Sequence, residues 1–366
     1  MRIARTVAIA LPALALVVTT AAWMRPDADG MRIGAPPVQS AGQLAFGPGN
    51  VLFIGDNDGA QVIAVEVEDA TEGTGVIALD SLDTRVAQVL GTTAADVQIN
   101  DLAVHPVSRN VYLSVRRGSG TGATPVLLRV TRDATRPIEE VPLANVKYSL
   151  ASIANAPADQ PATRRNPRSS TITDLAFADG QLWVAGLSNE EFASSFRRVS
   201  YPFTQSMQTT TVEIYHVSHE ASETRSPVTS FTVQRVNGTP YVIAGYTCTP
   251  IVAFAVADLV PGKHVVGRTV AELGSGNTPT DLVSFTRDGK DVIMVVNNRR
   301  PLMRIDAVDV ANGKALTTPD VEGIARSTLE QPTGITQMAE LDASYVVVIQ
   351  RGPDGLALRS IAKSAL

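Results

Sequence analysis

The sequence has little that would support redox or nucleic-acid chemistry. It contains one cysteine, Cys248, so the chain cannot form an internal disulfide. It has no CxxCH haem-attachment site and no Cys/His spacing of the zinc-finger type. The 31 Lys and Arg are outnumbered by 36 Asp and Glu and form no basic block, which argues against nucleic acid as a partner. Stability must come from packing, and 366 residues, 44% of them hydrophobic, can bury a large core.

Common catalytic signatures are also missing. The chain has no GxSxG elbow, no HExxH pair and no Walker loop. Long runs of helix-forming residues are few, whereas 27 Gly and 22 Pro indicate many short elements joined by turns. We therefore expect an all-β protein.

A long apolar run occurs near the N-terminus. Two arginines precede an unbroken apolar stretch from Val7 to Val18. The pattern predicts that residues 1–22 are a signal peptide and that the protein is exported, to the periplasm or beyond. The alternative is an uncleaved anchor, because Val7–Trp23 approaches the roughly 17–25 residues that span a bilayer. Only in that case would the protein contact a membrane. Residues 23–40 are expected to be a linker.

One strand pattern recurs six times, at intervals of 52–73 residues, which is typical of blade repeats. Each copy has a short apolar strand, a tight turn, a more apolar second strand and a third strand, with β-branched residues in the strands and Gly, Asn or Asp in the turns. The copies begin at Gly42, Ile99, Ile172, Val228, Thr280 and Thr333. The repeat predicts a single domain over residues 41–366, a six-bladed β-propeller with four-stranded antiparallel blades.

The repeats leave two parts of the chain to be placed. The last copy lacks a fourth strand, and a segment near Met31–Val38 is predicted to supply it and close the ring. Seven blades are the alternative, with a degenerate blade hidden in Pro137–Ser170. Ser188–Thr210, which carries four aromatic residues, is expected to be a loop that either packs on its own propeller or docks a partner.

Two copies carry a resemblance to a known group. "LAFGPGNVLFIGD" at residues 44–56 and "PTDLVSFTRDGKDVIMVVN" at residues 279–297 resemble the NHL-type and related six- to seven-bladed bacterial propellers. The resemblance covers nearly the whole chain after the N-terminal segment and implies the propeller fold. It implies no single function, because propellers include lyases, lactonases, dehydrogenases and binding proteins.

The propeller topology predicts which loops share a surface. The loops between second and third strands open on the same side as the starts of the first strands, and we call this side the loop face. The candidate ligand-binding residues on it are Asp56, Asp58, Asn100, Asp101, Arg116, Arg117, Asp174, Cys248, Asn277, Asp281, Asn297, Asn298, Arg299 and Arg351. The arginines would either bind a carboxylate or phosphate or pair with the acidic loop tips.

Three aspartates, Asp101, Asp174 and Asp281, occupy the same position of the repeat. Each could cap nearby backbone N–H groups, or together they could hold Ca²⁺ through oxygen ligands. Cys248 is either an inert thiol or a ligand for a soft metal or a redox site. His216 and His219 are expected on opposite faces of one strand, which disfavours a shared metal site.

Three functions fit these features. The main hypothesis is a non-catalytic, monomeric, exported propeller whose loop face binds a protein or a small ligand. The second is a Ca²⁺-dependent lactonase of the gluconolactonase type, in which carboxylates at the channel mouth hold the ion that activates water. The third, a quinone-dependent dehydrogenase-like propeller, is disfavoured. Those proteins resemble one another through a Trp in each blade, and this chain has only Trp23 and Trp183.

Overall fold

The computed structural model describes residues 30–69, 71–160, 166–319 and 323–366. The predicted signal peptide lies outside the described residues. Within these ranges, no helix has both the length and the apolar character needed to cross a bilayer.

Short β-strands make up most of the described chain. In chain order they are β1 (Arg32–Gly34), β2 (Leu44–Phe46), β3 (Val51–Asp56), β4 (Gln61–Glu66), β5 (Ala78–Leu79), β6 (Val97–Val104), β7 (Val111–Arg117), β8 (Thr124–Val130), β9 (Ile138–Glu140), β10 (Val146–Ser152), β11 (Asp174–Ala178), β12 (Gln181–Leu187), β13 (Ser194–Ser200) and β14 (Gln208–His216). They continue with β15 (Ala221–Glu223), β16 (Val228–Val236), β17 (Thr239–Tyr246), β18 (Pro250–Ala255), β19 (His264–Val266), β20 (Arg268–Glu272), β21 (Pro279–Arg287), β22 (Lys290–Asn297), β23 (Leu302–Asp306), β24 (Ser327–Leu329), β25 (Ile335–Glu340), β26 (Tyr345–Gly352) and β27 (Gly355–Ala362). The described α-helices are α1 (Leu82–Val89) and α2 (Ala307–Asn312), and a 3₁₀ turn at Val217–His219 also matters below.

The strands form six small sheets, which we number as blades 1–6 by the chain order of their innermost strands. From the centre outward, blade 1 is β2-β3-β4-β10-β1, blade 2 is β6-β7-β8-β9, and blade 3 is β11-β12-β13-β14 with β15 and β19 added to β14. Blade 4 is β16-β17-β18-β20, blade 5 is β21-β22-β23-β24, and blade 6 is β25-β26-β27-β5. The predicted six-bladed β-propeller is confirmed. The seven-blade alternative is wrong, because β9 and β10 in Pro137–Ser170 complete blades 2 and 1.

The blades do not follow one another around the ring in chain order. Hydrogen bonds near the starts of the innermost strands join blade 1 to 3, 3 to 4, 4 to 5, 5 to 6, 6 to 2 and 2 to 1. The ring order is therefore 1-3-4-5-6-2. Blade 2 lies between blades 6 and 1, instead of between blades 1 and 3 as a sequential ring would place it.

The ring is closed by a strand from the N-terminal third of the chain. After β4, the chain leaves blade 1 and adds β5 to the outer edge of blade 6, where Leu79 pairs with Leu358. It then builds blade 2 and returns to blade 1 as β10, beside β4. The prediction that Met31–Val38 supplies the closing strand is wrong. That segment holds β1, which pairs with β10 at the edge of blade 1.

The core lies between neighbouring blades. The second strand of each blade is a nearly continuous apolar run, because both of its faces meet another blade. In β3, all six residues are buried. Helix α1 adds Leu82 and Val86 to the cluster shared by blades 2 and 6. This packing replaces the disulfides that the chain cannot form.

The aromatic segment Ser188–Thr210 contains a strand and is not a loop. It includes β13, the third strand of blade 3, so the strand predicted as third is the fourth, β14. Phe196 is buried in the core, and the rings of Tyr201 and Phe203 lie 5.3 and 5.7 Å from that of Phe53. These aromatic side chains pack on their own propeller.

A fully buried arginine, Arg197, ties β13 to its surroundings. Its Nε donates to Asn155 Oδ1 (3.1 Å), Nη1 to the carbonyl of Thr171 (3.1 Å) and Nη2 to the carbonyl of Leu187 (2.7 Å). Burial lowers the pKa of Arg197 to about 10, with the charge of Glu190 acting in the opposite direction. The guanidinium therefore stays charged at neutral pH and is held mainly by neutral oxygens.

Candidate functional site

Six polar side chains ring the mouth of the central channel on the loop face. Each immediately precedes a largely buried apolar residue near the start of an innermost strand. In ring order they are Gln43, Asp174, Ser230, Asp281, Gln337 and Asp101. The three aspartates thus alternate with neutral residues around the axis. In chain order two aspartates would be neighbours, so the position of blade 2 creates this threefold alternation.

The ring side chains bond to the backbone of the next blade. Each aspartate accepts one such bond: Asp101 Oδ2 from Leu44 N (2.7 Å), Asp174 Oδ2 from Phe231 N (2.7 Å) and Asp281 Oδ2 from Met338 N (2.8 Å). Ser230 Oγ accepts from Leu282 N (2.9 Å) and donates to Asp174 Oδ2 (2.8 Å). The backbone-capping interpretation therefore describes these residues, with the cap reaching across a blade junction.

Negative charge is disfavoured inside this ring. Burial raises the pKa of Asp174 to about 6, and burial followed by the charge of Asp174 raises the pKa of Asp281 to about 7. Burial and then the charge of Asp281 raise the pKa of Asp101 well above its usual range. The buried amide oxygens of Gln43 and Gln337 have no hydrogen-bond partner among the described residues. The channel mouth is therefore a polar ring whose acids keep protons at unusually high pH.

The oxygen atoms of the three aspartates do not all lie within 4.8 Å of one another. Among the described residues, one group of three His, Cys, Asp or Glu side chains brings its donor atoms within 4.8 Å of one another, and that group is His216, His219 and Cys248. Each ring aspartate is instead engaged by a backbone N–H. A Ca²⁺ site at Asp101, Asp174 and Asp281 stays a prediction.

The acidic tip of blade 1 is mostly structural. Asp56 is fully buried and accepts bonds from Gln39 N, Ser40 N, Ser40 Oγ, Gly59 N and Gln61 Nε2. Asp58 lies at the exposed tip of the turn. Its carboxyl group is still partly screened from water, and this partial burial, followed by the nearby carboxylate of Asp56, raises its pKa. Asp56 thus holds the N-terminal segment against the turn and is not free to bind a ligand.

Blade 2 and its neighbours contribute residues that are also engaged. Asn100 donates to the carbonyl of Ala41 at 2.7 Å. Arg116 and Arg117 donate to the carbonyls of Gly120 (3.0 Å) and Leu90 (3.4 Å). These side chains stabilise loops of the loop face.

A pocket of about 550 Å³ opens on the loop face between blades 5 and 6. Arg299, Arg300, Arg351 and Glu330 line its rim, and apolar side chains including Val296, Leu302 and Ile335 form its floor. The rim arginines are exposed. No described residue forms an ion pair with any of the three guanidinium groups. Their charges are therefore available to an incoming ligand.

Asparagines hold the loop that carries these arginines. Asn277 and Asn297 are buried and bonded to each other at 2.7 Å. Asn297 also donates to the carbonyl of Pro301, and Asn298 Oδ1 accepts from Thr278 N. The predicted asparagines position the pocket, and Arg299 and Arg351 face it.

A larger cavity of about 980 Å³ lies near the outer strands of blades 1 and 2, and the charges of Asp69 and Arg129 in its lining are already paired. Asp69 accepts from Ser108, Asn110 and Tyr112, and Arg129 Nη2 lies 2.5 Å from Glu139. A closed network of this kind stabilises the fold, since each buried polar group has its partner.

Cys248 lies beside two histidines at the edge of the loop face. The rings of His216 and His219 lie 3.8 Å apart, and Cys248 Sγ is 3.8 Å from His219 Nε2. The prediction that the two rings point to opposite faces of a strand is wrong. Strand β14 ends at His216, and His219 belongs to the following 3₁₀ turn, which folds its ring back.

Comparisons with known proteins find solved structures of low similarity. No family model matches the chain, and no curated protein matches it. Similar solved structures include a PQQ-bound aldose sugar dehydrogenase from Streptomyces coelicolor, with 14% identity over 90% of this chain and 97% of that chain at a TM-score of 0.33. The apo-form aldose sugar dehydrogenase of Escherichia coli has 10% identity over 91% and 99% at 0.32. Streptogramin B lyase has 9% identity over 91% and 97% at 0.37. Membership of the NHL family stays a prediction.

Proposed function

We propose that the protein is a binding propeller that holds a small anionic ligand in the pocket between blades 5 and 6. The observation that carries this proposal is the set of three rim arginines without an ion-pair partner among the described residues. A guanidinium binds a carboxylate or phosphate through two parallel hydrogen bonds, which favours arginine at such sites.

The pocket also suits an apolar body on the anion. Its floor includes Val296, Leu302 and Ile335, while its rim carries three arginines and Glu330. The local charge is positive on a chain whose net charge is −5. An aryl or alkyl group bearing a carboxylate or phosphate would place its apolar part against the pocket floor and its charge beside the rim arginines.

The other functions considered have less support. A Ca²⁺-dependent lactonase requires carboxylates that converge on one ion, and the ring aspartates bond to separate backbone groups. For the quinone-dependent alternative, Trp183 is buried with the guanidinium of Arg198 4.8 Å from its ring, which leaves no exposed indole in the described chain for a planar cofactor. Our proposal retains the exported monomer that the sequence predicts.

Phenyl phosphate and inorganic phosphate are suitable probes. We expect saturable binding by isothermal titration calorimetry, with phenyl phosphate tighter because it also uses the apolar floor. Arg299→Ala and Arg351→Ala should each weaken phenyl phosphate binding roughly 5–10-fold, as expected for the loss of about 1–1.4 kcal/mol from a charged, exposed hydrogen bond. Glu330→Gln should tighten it, because a like charge leaves the rim.

A matched control is Arg235→Ala, since Arg235 is also exposed but pairs with Asp179 on another blade. It should bind phenyl phosphate as the wild type does. Absence of saturable binding to both probes, or equal affinity in the Arg299, Arg351 and Arg235 variants, would overturn the proposal.

A further inference from the structure

Two histidines and the cysteine converge at the junction of blades 3 and 4. His216 ends β14, and β15 folds back along β14 so that Ile214 pairs with Glu223. Glu223 Oε1 then accepts from His216 Nδ1 (2.9 Å) and from His219 Nδ1 (2.8 Å). One carboxylate oxygen thus fixes the orientation of both imidazole rings.

Both Nε2 atoms consequently point toward the same residue. His216 Nε2 lies 3.0 Å from the carbonyl oxygen of Cys248, and His219 Nε2 lies 3.8 Å from Cys248 Sγ. A second carboxylate holds this turn in place, because Glu272 bonds to Thr249 Oγ1 and to Val217 N. The turn of blade 4 is thereby tied to the 3₁₀ turn of blade 3, and the donor atoms are brought together.

We propose that His216 Nε2, His219 Nε2 and Cys248 Sγ bind a Zn²⁺ ion, which replaces the proton that His216 Nε2 donates to the carbonyl of Cys248. One donor atom from each residue lies within 4.8 Å of the others. In a tetrahedral zinc site with N and S ligands, neighbouring ligand atoms are about 3.3–3.6 Å apart. The 3.8 Å between Cys248 Sγ and His219 Nε2 needs only a small contraction, and the other separations, which lie within 4.8 Å, need a contraction of at most roughly 1.5 Å. This site is separate from the arginine pocket, and the inference does not rest on the proposed function.

The chemistry of the surroundings fits a divalent cation. Glu223 and a Cys248 thiolate supply two negative charges against the ion's two positive charges. A carboxylate that accepts from the Nδ1 of a metal-bound histidine is a common outer ligand, and here one carboxylate serves two histidines.

The site has an open side. His216 is fully buried, whereas the His219 side chain is 47% exposed. Three protein ligands with a solvent-facing fourth position match the arrangement of catalytic zinc sites, in which water occupies the fourth position. The ion can therefore enter from solvent and keep one exchangeable ligand.

Zinc binding can be measured directly by titration against a chromophoric chelator. We expect one Zn²⁺ per chain, and Co²⁺ in its place should give a thiolate-to-cobalt absorption band. Cys248→Ser and His219→Ala should weaken binding by roughly 100-fold or more and Glu223→Gln by about 10–100-fold. Cys248→Ser should also abolish the thiolate band.

The control is His264→Ala, which removes another histidine bonded to a glutamate, Glu213. It should bind zinc as the wild type does. Melting curves of the metal-free variants would show that they fold, and phenyl phosphate binding should be unchanged in Cys248→Ser. No stoichiometric zinc in the folded wild type would overturn the inference. Rapid alkylation of Cys248 that depends on His219, in a protein that binds no zinc, would also overturn it. Cys248 and His219 would then act as a nucleophile and its base.

Discussion

Arg197→Leu should destabilise the propeller more than any surface substitution, by about 3–5 kcal/mol in free energy of unfolding. Arg197 is fully buried and donates to Asn155, Thr171 and Leu187. Leucine fills part of the space but leaves three oxygens without donors in a buried site. Each unsatisfied group costs about 1–3 kcal/mol. Urea denaturation followed by circular dichroism measures the loss.

Two variants separate the hydrogen bonds from the charge. Arg197→Lys keeps the charge but cannot present donors in three directions, so it should recover only part of the stability. Arg235→Ala removes an exposed arginine paired with an exposed Asp179 and should change stability by less than about 1 kcal/mol. If Arg197→Leu unfolded at the same urea concentration as Arg235→Ala, the bonding role of Arg197 would be disproved.

The protein should lose stability as the pH rises from about 4 to about 7. The pKa of Asp281 is about 7 in the folded chain against 3.8 in its ordinary state, so the folded state holds a proton that the unfolded state has released. Stability from such a group is complete below its unfolded pKa and is lost as pH rises through the folded pKa. For Asp281 the loss is on the order of 2–4 kcal/mol. Asp174 and Asp101 act in the same direction.

Asp281→Asn tests this assignment. Asparagine keeps an acceptor for Met338 N–H and cannot ionise, so the variant should melt higher than the wild type at pH 8 and close to it at about pH 4. Burial lowers the pKa of His105, which adds stability with rising pH in the same window, so the difference between variant and wild type is the informative quantity. Exposed Asp354 supplies the control, and Asp354→Asn should leave the pH dependence unchanged. A parallel pH dependence in Asp281→Asn and the wild type would contradict the prediction.

The sequence predicted the blades because the inner strands of each blade are consecutive in the chain. A strand, a tight turn and a second apolar strand lie within about 25 residues, and β-branched residues and turn residues mark them directly. Val51–Asp56 and Lys290–Asn297 were recognisable as second strands for this reason. β5 was missed because a strand of two residues, Ala78–Leu79, has no periodicity to detect. β13 was missed because aromatic and charged residues at Ser194–Ser200 resemble a loop composition.

The site was predictable in its residue types and only partly in its geometry. The repeat identified Asp101, Asp174 and Asp281 as equivalent, and the loop-face rule led to Arg299, Arg351 and Cys248. Gln43, Ser230 and Gln337 were missed because no common residue type marks their position. The histidine pair was misjudged because the end of β14 falls between His216 and His219, and a strand end is poorly defined by sequence.

By itself, the sequence determined the repeated strands, the absence of disulfides and the polar residues that the loop face would carry. These follow from short-range patterns and composition. The tertiary structure alone decided that blade 2 lies between blades 6 and 1, which sets three aspartates in alternation around the channel. It also decided that Glu223 of blade 3 aims two imidazoles at Cys248 of blade 4. Both outcomes depend on contacts between segments far apart in the chain, and long-range contacts leave no periodic signal in a single sequence.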